Sequence, residues 1–177
     1  MSSYLKKGKI VEQIFIAALE EKLRLSSNVI SYEINNSSKE DDINKHIDIF
    51  LTYTDEDGEK HCSFDVKGLK KRHRSDKKYM ENESWIELVN VNGNKGWLYG
   101  KEDYIAFETK DNFIIVRKSE LIPLVTSKCT EETIYNELPE ENYYYKYYQR
   151  RGKCDKMIIV PFSDLETMNS YKKINKV

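Results

Sequence analysis

Two alternating runs, residues 47–54 and 60–67, flank the turn signal Asp55-Glu56-Asp57-Gly58, and this pairing constrains the chain more than any other feature. Strict alternation over eight residues describes a strand with one buried face. An Asp-Gly step between two such runs predicts an antiparallel hairpin. In the first strand Ile47, Ile49 and Leu51 share a face, leaving Asp48, Phe50 and Thr52 on the other. In the second, Cys62, Phe64 and Val66 oppose Ser63, Asp65 and Lys67. With Glu56 and Asp57 central in the turn, Asp48 lies across from Asp65. With Asp57 and Gly58 central, Asp48 faces Lys67 and Asp65 is one diagonal away. Either register places Asp48, Asp65 and Lys67 on one face.

The rest of the chain supplies what such a hairpin packs against. Apolar residues at helical spacing (Ile10, Val11, Ile14, Phe15, Ala18, Leu19, Leu23) predict an amphipathic helix over 5–25. A strand is expected over 29–34, a polar loop over 35–45 and a basic irregular segment over 68–78. Further strands are expected over 84–91, 104–108 and 112–117. A helix follows over 119–125 with Ser119 as its N-cap. The last strand is expected over 157–161, followed by a polar tail. The order helix, mainly antiparallel sheet, flanking elements predicts an α/β fold with one core. At 177 residues the expectation is a single domain, with a core over 5–125 and a tyrosine-rich, basic extension over 128–177.

Composition removes several classes of function. Apolar runs of about five residues fall far short of the roughly 20 that a spanning helix needs. The basic N-terminus is not followed by an apolar run or a small-residue cleavage site, so no targeting segment is expected. Cys62, Cys129 and Cys154 are odd in number and far apart, which argues against a zinc knuckle or a disulfide framework and for a reducing, cytoplasmic setting. His46, His61 and His73 have no metal-ligand spacing. Twenty-nine basic residues against 30 acidic ones leave a net charge of −1, which by itself does not point to a polyanion.

Chemistry enters through the hairpin. Adjacent carboxylates repel unless a cation lies between them. Mg²⁺ accepts one or two carboxylates and completes its shell with water and phosphate oxygens. A lysine two residues beyond the second acid can then hold the attacking water and offset charge on a phosphorane-like transition state. The plainer account is a solvated strand face in a chain whose residues are 33% charged. Acid-x-Lys also occurs at Glu20-Glu21-Lys22, Asp76-Lys77-Lys78 and Glu108-Thr109-Lys110. Only Asp65-Val66-Lys67 closes a strand that has an acid waiting on its hairpin partner.

Glu12 on the first helix, Asp48, and Asp65-Val66-Lys67 on a hairpin together resemble the PD-(D/E)XK nuclease superfamily, which has a restriction-endonuclease-like fold. The resemblance covers about residues 5–125. The later stretch from Trp85 to Gly100, followed by Asp103-Tyr-Ile-Ala-Phe, looks like small phage-type members. Ile47 stands where the family's name has proline. The resemblance implies that Asp48, Asp65 and the Val66 carbonyl bind Mg²⁺, or Mn²⁺ in its place, and that Lys67 positions the nucleophilic water. Glu12 would be a second-sphere or metal-water ligand. Glu87, on the next strand, would stand near the metal, as a glutamate or glutamine does in many members.

The charge is blocked along the sequence. Lys67, Lys70, Lys71, Arg72, Arg74, Lys77 and Lys78 cluster directly after the Asp-x-Lys strand, opposed only by Asp76. Lys146, Arg150 and Arg151 interleave with Tyr143, Tyr144, Tyr145, Tyr147 and Tyr148. Both segments suit phosphate contact and base stacking, and the tyrosines equally suit packing or a homodimer interface. The expected function is a Mg²⁺-dependent deoxyribonuclease, endonucleolytic because nothing indicates a processive motor, acting in the cytoplasm (the host's, if phage-encoded). The alternative is a catalytically inactive DNA-binding or anti-defence protein with a nuclease-like fold.

Overall fold

The computed structural model describes residues 3–73 and 75–177. Helix α1 (Ser3–Arg24) fulfils the predicted amphipathic pattern. Phe15, Ala18 and Leu19 are buried on one face, while Glu20 at the next step is exposed. Strand β1 (Ser31–Asn36) follows and is exposed at nearly every residue. Helix α2 (Lys39–Lys45) stands where a loop was expected. Its polar sequence hides no apolar stripe because it buries nothing; local capping sets it up instead. The Ser38 hydroxyl accepts the Asp41 N–H, three acids occupy the first turn, and Lys45 pairs with Asp41 at 2.5 Å.

The hairpin is strands β2 (Ile49–Asp55) and β3 (Gly58–Lys67). They pair from Asp55↔Gly58 to Ile49↔Phe64, so Glu56 and Asp57 are the central turn residues. Strand β4 (Glu83–Val89) leaves this sheet, and a single 3-10 turn, Trp97–Tyr99, leads on to β5 (Tyr104–Glu108). β5 pairs in parallel with β3 and antiparallel with β6 (Asn112–Arg117). Helix α3 (Lys118–Lys128) starts one residue before the expected cap, so Ser119 lies inside it, and no side chain caps its first turn.

The residues after 128 are not an appendage. Short strands β7 (Ile134–Tyr135) and β8 (Tyr147–Tyr148) precede β9 (Lys156–Pro161), the one-turn helix α4 (Phe162–Leu165) and β10 (Lys172–Asn175). β10, from the stretch expected to be a polar tail, pairs with β6.

Two sheets result: β1-β2-β3-β5-β6-β10, and β4-β9-β8-β7. The fold is mixed α/β, with a mixed, mainly antiparallel main sheet and four helices among the described residues. The expected single core is two clusters separated by the main sheet. On one face Phe15, Ala18 and Leu19 of α1 pack on Ile49, Leu51, Phe64, Ala106, Phe113 and Ile115. On the other, Ile105, Phe107, Ile114 and Val116 meet Ile86, Leu88, Ile158 and Val160 of the second sheet and Leu121 and Val125 of α3. Strands β5 and β6 thus bury both faces and read as continuous apolar runs. No helix among the described residues is long and apolar enough to cross a membrane.

Candidate active site

Asp48 stands one step beyond the last β2–β3 pair, where the ladder loosens. Its N–H donates to the Phe64 carbonyl at 2.8 Å. Its carboxylate Oδ2, in place of a backbone oxygen, accepts the Val66 N–H at 2.7 Å. Asp48 is thereby held beside Asp65 by the strand itself. Asp65 is 2% exposed, registered next to the fully buried Ile105, so it borders the apolar cluster between the sheets. Lys67 Nζ approaches Asp65 Oδ2 at 2.6 Å and lies 4.6 Å from the centre of the Trp97 ring. That contact holds the lysine from a second side by a cation–π interaction. A Cβ on Gly96 would strike the Glu87 carbonyl, so only glycine lets the Trp97 turn close against β4.

The electrostatics are those of a crowded acid pair. Burial, followed by the negative charge of Asp65, pushes the Asp48 carboxyl up to about 7, against the opposing pull of the Val66 N–H and Lys67. Glu12 is half-buried, and burial and the charge of Asp48 raise it too. Its competitors on α1 are elsewhere: Glu20 is exposed and Glu21 pairs with Arg24 at 2.7 Å. Glu87 is half-buried and raised by burial, with Lys67 and the Trp97 N–H lowering it. Glu12, Asp48, Asp65 and Lys67 therefore interact, and Glu87 feels the same lysine.

Glu102 went unnoticed in the sequence. It is 2% exposed, neither carboxylate oxygen has a hydrogen-bond partner among the described residues, and burial pushes it up to about 7, with the charge of Asp65 adding to the shift. Lys118 Nζ stands 3.4 Å from it and also donates to the Gly100 carbonyl. Gly100 has no room for a side chain between Glu102, the Lys45 carbonyl and the His46 side chain. The signal that could have found Glu102 is an acid two residues after a glycine and two before an apolar strand.

These shifts give a pH signature. The folded pKa of Asp48 is raised from 3.8, so its stabilising contribution is complete below about pH 4 and is lost as pH rises through about 7. Asp48→Asn keeps an acceptor for the Val66 N–H and removes the charge. Without added metal the variant is expected to be more stable at pH 8 by on the order of 1–3 kcal/mol. Its thermal midpoint should fall less between pH 5 and 8 than that of the parent, as read by circular dichroism.

A divalent cation suits this donor set. Asp65 Oδ2 is buried and has no well-aligned hydrogen bond among the described residues, although Lys67 Nζ pairs with it at 2.6 Å, and two facing carboxylates repel. Among the described residues no three His, Cys, Asp or Glu side chains converge to hold an ion. Asp48 and Asp65, with the Val66 carbonyl that the resemblance implies, would make a donor set that suits Mg²⁺, with water and phosphate oxygens completing its shell.

No family model, curated protein or solved structure matches the chain.

The basic residues divide into free and engaged groups. Among the described residues Lys77 and Lys78 are exposed and pair with no acid, and Lys71 lies over the Tyr79 ring, while burial and the charge of Lys67 lower the Lys70 ammonium, with Asp65 and Glu87 pulling it back up. Arg72 donates to the Pro139 carbonyl and stacks 3.9 Å from the centre of Tyr143. Arg74 lies outside the described residues. In the later block Lys146 pairs with Glu131, Arg150 with the buried Asp155 at 2.6 Å, and Arg151 with Glu137 at 2.9 Å. The block expected to be cationic is therefore largely neutralised in space. Its tyrosines mostly pack: Tyr145 is buried and donates to Asp164, Tyr143 donates to Glu83, and Tyr148 meets Trp85.

Proposed function

We propose that this protein is a divalent-metal-dependent nuclease that hydrolyses DNA phosphodiester bonds, with a restriction-endonuclease-like core formed by α1, β1–β3 and β5. The observation that carries the reading is the carboxylate pair Asp48 and Asp65, held together by the hairpin despite their repulsion, with Lys67 clamped against it. A solvated strand face does not require two acids to meet at the edge of an apolar cluster.

When bound, Mg²⁺ would supply Lewis-acid polarisation of the phosphate and a more acidic water. Asp48, Asp65 and the Val66 carbonyl would hold it. Lys67, fixed between Asp65 and the Trp97 ring, would orient the attacking water and offset charge developing on the phosphate oxygens. Glu12 would accept hydrogen bonds from water on the α1 side, and Glu87 would tune the charge of Lys67. The exposed lysines after β3 would contact the phosphates flanking the scissile bond.

Incubation with supercoiled plasmid and with single-stranded DNA, in Mg²⁺, Mn²⁺ or EDTA, tests the reading. Metal-dependent nicking is expected; its absence under every condition rejects catalysis. Retained DNA binding in that case would favour the alternative of an inactive binding protein on this fold.

A further inference from the structure

The acidic stretch 131–141 and the basic stretch 143–156 are neighbours in sequence, and they also meet in space. β7 runs in parallel with β8 for only two residue pairs, Ile134↔Tyr147 and Tyr135↔Tyr148, and is the outer strand of the second sheet. Around it Glu131 takes Lys146 and Glu137 takes Arg151. The Pro139 carbonyl takes Arg72, which belongs to the basic loop leaving Lys67. Arg72 Nε is buried without a hydrogen-bond partner among the described residues. The acidic segment is itself lightly held. Most of its residues are exposed, and the Glu137 and Arg151 side chains are 81% and 78% exposed. Exposed pairs of this kind are weak and sensitive to salt.

We propose that segment 131–141 is an acidic strap that occupies Arg72, Lys146 and Arg151 in place of a phosphate backbone and must give way when nucleic acid binds. The inference rests on the nuclease reading above and concerns its regulation. Carboxylates at 131 and 137 neutralise cations that phosphates would otherwise engage, and a two-residue strand is a small barrier to peeling. Displacement also uncovers the Arg72 guanidinium beside the loop that leads from the proposed site.

The test measures binding of a fluorescent duplex in EDTA, where hydrolysis is idle, over a range of salt. The Glu131→Gln/Glu137→Gln variant is expected to bind about three- to twentyfold more tightly than the parent. The slope of log affinity against log salt should steepen by roughly 1 to 2, as two cations become available to phosphates. Glu140→Gln/Glu141→Gln makes the same change in net charge at exposed acids that pair with no cation among the described residues, and should stay within about twofold of the parent. Equal tightening by both variants would overturn the strap in favour of bulk charge. Binding by all three proteins with no difference would overturn the strap and leave the nuclease reading intact. No binding by any of them would reject both.

Discussion

Asp65→Ala is expected to lower metal-dependent nicking of plasmid by on the order of 10³-fold, a loss of about 4 kcal/mol of transition-state stabilisation. The side chain does two things at once. It borders Asp48, and its buried Oδ2 receives Lys67 at 2.6 Å. Its removal would take away one of two carboxylate donors and one of the two contacts that hold the lysine. Lys67→Ala should cost on the order of 10²-fold, with the metal donors kept. The comparison separates holding the ion from positioning water. Magnesium affinity, followed by calorimetry, should fall for Asp65→Ala and change little for Lys67→Ala. Neither variant empties an apolar core, so both should show folded circular dichroism spectra. Undiminished nicking by a folded Asp65→Ala protein would remove the acid pair from the mechanism.

The second large effect is on stability. Phe15→Ala is expected to destabilise the fold by about 3–5 kcal/mol in denaturant titration. Phe15 is fully buried, with its ring centre 5.4 Å from that of Phe64 and 5.1 Å from that of Phe113. It therefore joins α1 to β3 and β6 at once. Phe64 immediately precedes Asp65, so a cavity beneath it also loosens the strand that carries the acid. Activity measured well below the new midpoint should fall more than the unfolded fraction explains. Equal activity per folded molecule would mean that the site is insulated from this packing.

The hairpin and the shared face of its acids were legible because they obey local rules, alternation and an Asp-Gly turn, whereas the register stayed open between two pairings until the structure placed Glu56 and Asp57 at the centre of the turn. The two-sided burial of β5 and β6 was not read from the sequence, although the apolar runs Ile105-Ala-Phe107 and Phe113-Ile-Ile-Val116 show it. What covers their second face does not show, since Ile86 and Ile158 carry no mark of each other across 71 intervening residues. Glu102 was hidden for the same reason. It lies beside Gly100 where that glycine meets the Lys45 carbonyl and the His46 side chain, a contact between segments far apart in sequence. The charge blocks misled in another way. Segregated along the chain, they suggested a cationic surface at 143–156, yet a turn brings the acids back onto the bases. Helix α2 was missed because capping holds it in place of an apolar face.

The parallel pairing of β3 with β5 has a consequence for how the molecule reaches its native state. Strands β2 and β3 meet through a tight turn, so Asp48 and Asp65 are brought together by one of the fastest and most local events in folding. β5 can join only after residues 68–103 have closed a long loop, whose entropy is lost before the new contacts form. Trp97, Glu87 and Glu102 all lie within that loop. The repelling acids therefore come together early, and the groups that hold Lys67 and crowd the site arrive late. Weakening β5 should slow the last stage of refolding while leaving hairpin formation unchanged.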